Sequence, residues 1–160
     1  MKVEEVGPGL GSVIDITRYH FSVPAGLPQV TLEPLQGVQN TAARLILDLN
    51  LRDHVTPGLH QLHWLPVRFR IQYKLCSIMH AIHAGRSPVY LMERVQNSLR
   101  SADSSLYVTP RLRTSRFGER AFSHAGPAAW NSLPVGIRDT PDFSAFKNKL
   151  KTHFFNLAYA

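Results

Sequence analysis

Cysteine is nearly missing from this chain. Cys76 stands alone among 160 residues, so no internal disulfide framework can form, and the composition fits a reducing compartment. Acidic residues are also scarce, 11 against 18 Lys and Arg, which leaves a net charge of +7. No window approaches the ~18 uninterrupted apolar residues that a membrane span needs. The opening MKVEEVGPGLGSVIDI places Glu4, Glu5, Pro8 and several glycines where a secretory signal would need an apolar core. A membrane partner is not expected, and an intracellular location, nuclear or cytoplasmic, is. Internal repeats and low-complexity tracts are absent as well.

The apolar share of 44% is ordinary for a globular chain, and the length suits one domain with a real core. The charge is unevenly placed. Residues 1–33 hold Lys2 and Arg18 against Glu4, Glu5, Asp15 and Glu33, a net −2, so the remainder carries +9. Attraction for a polyanion such as nucleic acid therefore lies after Glu33.

Periodicity predicts a mainly α protein: a small helical bundle with a loop-rich basic segment. Residues 1–24 read as a poorly ordered leader and 25–160 as the helical domain. Leu35, Val38, Ala42, Leu45, Ile46 and Leu49 recur at helical spacing. A short helix follows, with Thr56 as its N-cap and Pro57 as its first residue. Next, HWLPVRFRIQYKLCSIMHAIHAG predicts a helix that is apolar on two sides. One side holds Val67, Ile71, Leu75, Ile78, Met79 and Ile82, and the other Phe69, Tyr73, Cys76, His80 and His83. Only Arg70, Lys74 and Ser77 form a hydrophilic strip. Such a helix belongs at the centre of a fold, and Gly85 suits a left-handed cap at its end.

Ser87 should cap a helix that turns Tyr90, Leu91 and Val95 inward. The segment SLYVTPRLRTSRFGERAF predicts a short β-hairpin or an extended arm. GPAAWNSLP reads as one helical turn. The last helix should start with Thr140 as cap and carry the stripe Phe143, Phe146, Leu150, Phe154 and Leu157. Lys147, Lys149 and Lys151 do not share one stripe, and solvation of the outer face explains them.

Several catalytic and metal patterns are weak. Cys76, His80 and His83 share a helix face, and His60 and His63 form a His-x-x-His pair, but Phe69 and Tyr73 on the same face make packing the simpler account. Cys76 lies mid-helix, away from any N-terminus that would lower its pKa. Ser123 and His124 are adjacent and point apart. GPGLG lacks the Lys-Ser/Thr of a phosphate loop. No cofactor, metal or small-molecule substrate is expected.

The basic middle is the strongest signal. Arg100, Arg111, Arg113, Arg116 and Arg120 are interleaved with Tyr107, Phe117 and Phe122. Guanidinium groups bind phosphate oxygens in bidentate fashion, and aromatic rings stack on unpaired bases. The competing account makes Phe117, Phe122 and Trp130 core anchors and leaves the arginines only to bridge carbonyls and solvent. The expectation combines the two, with aromatics inside and arginines outside. Arg70 and Lys74, four apart on the central helix, are placed to reach the same anion.

The stretches LQGVQNTAARLI, DHVTPGLHQLHWLPVRFRIQYK, GRSPVYL, LRS, PRLRTSRFGERAFSHAGPAAWNSLPVGIR and FKNKLKTHFF follow in order. Together, from about Ala25 to Asn156, they resemble the region after the reverse transcriptase domain in LINE-type (non-LTR) retrotransposon polyproteins. The resemblance implies a parent that copies RNA into DNA at a nicked target, of which this would be the C-terminal, thumb-adjacent part. It also implies that a chain starting at Met1 is a fragment of a mobile element. The family's polymerase holds two magnesium ions on a Tyr-x-Asp-Asp motif. That motif is absent here, and the family's endonuclease lies outside this region, so neither activity is expected. Two functions follow as expectations. The first is a non-sequence-specific module for RNA or DNA backbone, using Arg70, Lys74, Arg100, Arg111, Arg113, Arg116 and Arg120. The alternative is an inert relic or protein-interaction domain, its LQGVQNTAARLI stripe exposed for a protein partner.

Overall fold

The computed structural model describes residues 29–95, 106–111 and 121–160. The leader 1–24, Phe117, Arg100, Arg113, Arg116 and Arg120 lie outside these residues, as does most of the segment expected to form a hairpin or arm. The described residues form helices α1 (Gln29–Leu47), α2 (Val55–Gln61), α3 (Val67–His83), α4 (Val89–Met92), α5 (Phe122–Asn131), α6 (Val135–Arg138) and α7 (Phe143–Tyr159). The protein is mainly helical, and among the described residues no strand forms beyond an isolated bridge at Tyr107.

The two-sided pattern of α3 places it at the centre, against α1, α5 and α7. One side sends Val67, Ile71 and Leu75 onto Ala125 of α5. The other sends Phe69 and Cys76 into a core shared with Trp130, Phe146, Leu150 and Phe154. Met79 and Ile82, expected on the Val67 side, join this core instead, because the second half of α3 is wrapped by α5 and α7. Each such side chain contributes about 1.5–3 kcal/mol when fully buried. Gly85 ends α3 with φ of 64°. Its N–H donates to Ile82 and that of Arg86 to Ala81, which closes a Schellman cap. Asp48 and His63, also at positive φ, end α1 and α2, with Leu49 N–H on Arg44 and Trp64 N–H on Leu59.

α1 starts at Gln29, six residues before Leu35, with Pro34 inside it. It turns its polar side inward. Gln39 is buried and donates from Nε2 to the Leu65 carbonyl at 2.9 Å. Gln36 Oε1 accepts the Val67 N–H at 2.9 Å, which satisfies an orphan donor at the start of α3. Val30, Leu35, Val38, Leu45 and Ile46 are left exposed.

Four local expectations are corrected. Thr56 does not cap α2, which begins at Val55 after His54. Pro57 then sits in the first turn, where no N–H has an intrahelical partner, so the helix extends upstream of it freely. Ser87 does not cap α4, because Pro88 holds that position, and Tyr90 faces outward while Val95 is buried. The single turn expected at GPAAWNSLP is a ten-residue helix, α5, with Pro127 inside. A proline in a helix interior costs about 3 kcal/mol, and full burial of Pro127 and Trp130 offsets it. Thr140 does not cap α7. Asp142 does, its Oδ2 accepting the Ala145 N–H at 2.6 Å, because a carboxylate there also meets the helix dipole.

On α7, Phe146, Leu150 and Phe154 are buried, Phe143 is half-buried and Leu157 lies exposed near the end. Tyr159 closes the fold by donating its hydroxyl to the Trp64 carbonyl.

Candidate nucleic-acid interface

Of the seven cations singled out in the sequence, three lie among the described residues. Arg70 and Lys74 stand one turn apart on the outer strip of α3, with Ser77 half-buried one turn further along. Because α3 packs against both α5 and α7, this strip is carried by the central helix of the fold. Lys74 is exposed, and Arg70 is half-buried. Burial alone pushes the Arg70 guanidinium below its ordinary pKa, yet the group stays charged at neutral pH. Among the described residues neither cation bonds to a carboxylate. A partly desolvated guanidinium without a counter-ion gains more from an incoming phosphate than a hydrated one does.

Arg111 is exposed at the end of the described segment 106–111. That segment is anchored by Tyr107, which is buried. The Asn131 side chain at the end of α5 grips the Tyr107 backbone at both its N–H and its carbonyl. The Tyr107 hydroxyl meets His83 Nδ1 at 3.2 Å, and its ring stands edge-on to Trp130. Burial raises the Tyr107 pKa. Tyr107 is therefore a core anchor and does not present its ring to a base. Phe122 is likewise half-buried against the core. The combined expectation, aromatics inside and arginines outside, describes Tyr107, Phe122 and Arg111.

Other cations emerge only in three dimensions. Arg86 and Lys147 both lie over the Phe143 ring, at 5.6 and 4.7 Å from its centroid. Lys149 donates from Nζ to the Thr140 hydroxyl at 3.0 Å. These lysines are held by neighbours, so solvation alone does not describe them. Lys147 is one turn from Phe143, a legible spacing, whereas Arg86 arrives through the Gly85 turn, which has no sequence signal for this contact. Arg138 is the opposite case: it is buried, with Nε and Nη1 unpaired, and so faces no polyanion.

The Cys/His face of α3 is packing. Cys76 is fully buried, donates weakly to the Ala129 carbonyl at 3.6 Å, and its thiol is pushed up to about 12 by burial. A thiol this protonated is a poor nucleophile and metal ligand. His80 donates from Nε2 to the Thr140 carbonyl at 2.9 Å and stacks on Phe146. Its Nδ1 is buried without a partner. Desolvation lowers the His80 pKa, more than the Thr140 bond raises it. His60 and His63 both pack on Phe155. No three metal-ligating side chains converge among the described residues.

A cleft of about 580 Å³ opens between α1, α2, the start of α3 and the end of α7, with Glu33, Asn40, Thr56 and Arg68 on its walls. The Glu33 carboxylate makes it a poor phosphate site. No helix among the described residues is long and apolar enough to cross a membrane. Compared with protein-family models, curated proteins and solved structures, the chain has no match in any of the three.

Proposed function

We propose that this chain is a non-sequence-specific nucleic-acid binding module that holds sugar–phosphate backbone and carries no polymerase or endonuclease chemistry of its own. The observation that carries this reading is the Arg70–Lys74 pair, unpaired by any described carboxylate on the central helix. Arg111 adds a third outward cation on a segment clamped by Asn131. The described residues as a whole hold twelve Lys and Arg against six Asp and Glu, a net of +6. The resemblance to the post-polymerase region of LINE-type elements supports the same reading, since such a fragment once worked beside a nucleic-acid substrate.

Fluorescence anisotropy with labelled RNA and DNA of unrelated sequences tests it. Both should bind with similar affinity. Replacing Arg70, Lys74 and Arg111 with Ala should weaken both equally, because phosphate contacts carry no sequence information. Equal binding by the variant and the parent chain would remove the proposal.

A second reading, a protein-interaction domain or inert relic, is favoured by one observation: the uncharged apolar side of α1 faces outward.

A further inference from the structure

The cleft between α1, α2, the start of α3 and the end of α7 measures about 580 Å³, within the roughly 300–1,000 Å³ of small-molecule sites. Leu59 and Val67, both buried, give it an apolar floor. Two polar groups on its walls have unused bonding capacity. The Glu33 carboxylate makes no hydrogen bond or ion pair among the described residues. Asn40 stands two turns further along the same side of α1. Its amide is oriented by Gln36, whose Nε2 donates to Asn40 Oδ1 at 2.8 Å. The Asn40 Nδ2 group therefore remains as a donor with no acceptor among the described residues.

We infer that this cleft receives an unpaired base of a single-stranded nucleic acid, whose phosphates stay outside at Arg68. The inference rests on the nucleic-acid reading above and adds to it a site that contacts bases, separate from the Arg70–Lys74 strip. Three features select a base over other occupants. The first is the match to a base edge. Glu33 only accepts and Asn40 Nδ2 only donates. Every base carries both N–H donors and acceptors on its edges. Such a pair holds any of them, so binding stays independent of sequence.

The second feature is the rings. Tyr159 lines the cleft, and its hydroxyl bond to the Trp64 carbonyl holds it in place. The Phe155 ring lies 4.8 Å from the Tyr159 ring and the His60 ring 5.1 Å from it. His60 is exposed, and Phe155 and Tyr159 are half-buried. Aromatic rings stack on bases whatever their identity, and a ring already held in place loses little freedom on binding.

The third feature is charge. Glu33 repels a phosphate from the interior of the cleft. Arg68 also lines it, with its guanidinium 4.3 Å from the Phe69 ring centroid. Lys151 stands one turn before Phe155 on α7. Both cations are exposed, and neither is bound to a carboxylate among the described residues. A nucleotide satisfies this arrangement by turning its base to Glu33 and its phosphates to the cations. In a duplex the base faces are stacked and the pairing edges occupied, so only an unpaired base can enter.

Fluorescence anisotropy on the full chain tests this with two labelled ligands of one length: a mixed-sequence single strand and the same backbone carrying abasic spacers. The intact strand should bind about tenfold more tightly. Glu33 is exposed, so Glu33→Ala should leave the melting temperature unchanged. The variant should bind the intact strand about tenfold more weakly, through loss of a charged acceptor. It should bind the abasic strand as tightly as before or more tightly, because a like charge is gone. Equal binding of the two strands by the parent chain would overturn the inference and leave backbone binding standing. So would a Glu33→Ala variant that binds the intact strand as tightly as the parent or more so. Failure of both strands to bind would remove the nucleic-acid reading and this inference together.

Discussion

The side-chain amide of Asn131 pairs with both backbone groups of Tyr107, accepting its N–H at 3.0 Å and donating to its carbonyl at 2.7 Å. A helix end thereby supplies what a neighbouring β-strand would supply to an extended segment. It fixes the segment 106–111 against α5, and with it the position of Arg111.

Asn131→Ala should therefore destabilise the fold by about 2–3 kcal/mol, since two partly buried backbone groups lose their partners together. Tyr107→Phe removes only the hydroxyl bond to His83 and should cost about 1 kcal/mol. Urea denaturation of the two variants separates these values. Equal losses would mean that the amide clamp contributes no more than the single hydroxyl bond.

The inverted α1 makes an unusual contrast. Gln39→Ala should cost about 1–3 kcal/mol because it strands the buried Leu65 carbonyl. Leu45→Ser, at an exposed position, should stay within about 0.5 kcal/mol in the monomer. Thermal melts at low protein concentration check both. A larger loss for Leu45→Ser would mean that the apolar side of α1 packs within its own chain.

His80 sets a pH dependence. Its folded pKa lies below the ordinary value, chiefly through desolvation, with Arg86 and His83 adding to the lowering and Thr140 and Asp142 opposing it. Below about pH 6.5 the unfolded chain binds a proton that the folded chain refuses. Stability from this group is thus complete above about pH 6.5 and is lost as the pH falls below it. Melting temperature should be flat from neutral to mildly alkaline pH and drop on acidification. A rise on acidification would contradict the buried neutral ring.

Gly126 lets α5 approach α3 closely. A Cβ there would meet Met79 Sδ at 2.9 Å and the Phe122 ring at 3.1 Å. Gly126→Ala gains about 1 kcal/mol of helix propensity, but overpacking costs about 1–3 kcal/mol. Met79 is fully buried and has nowhere to retreat, so the variant should lose stability by chemical denaturation. A gain would show that the two helices can move apart.

Much of the fold was legible because burial and periodicity agree. α3 shows that it is apolar on two sides, although Met79 and Ile82 join the opposite core from the one their spacing suggests. Gly85 marks its end, and the stripe on α7 buries Phe146, Leu150 and Phe154. What was not legible depends on competition between neighbours. An amphipathic pattern identifies α1 as a helix but does not say which side is covered, and the hydrogen bonds of Gln36 and Gln39 decide that. Pro127 reads locally as a breaker, and only burial against α3 overrides it. Thr140 and Asp142 are both acceptable caps, and Asp142 prevails while the Thr140 carbonyl serves His80. For the candidate interface, the i to i+4 spacing placed Arg70 and Lys74 together, but nothing local reveals that Tyr107 is held by an amide one helix away.

The most direct measurement is the slope of log affinity against log salt for duplex DNA, comparing the parent chain with Arg70→Ala/Lys74→Ala. Removing two cations that neutralise phosphates should shallow the slope by about two units, with no change in melting temperature. Parallel slopes for the two proteins would contradict an α3 strip that holds the backbone.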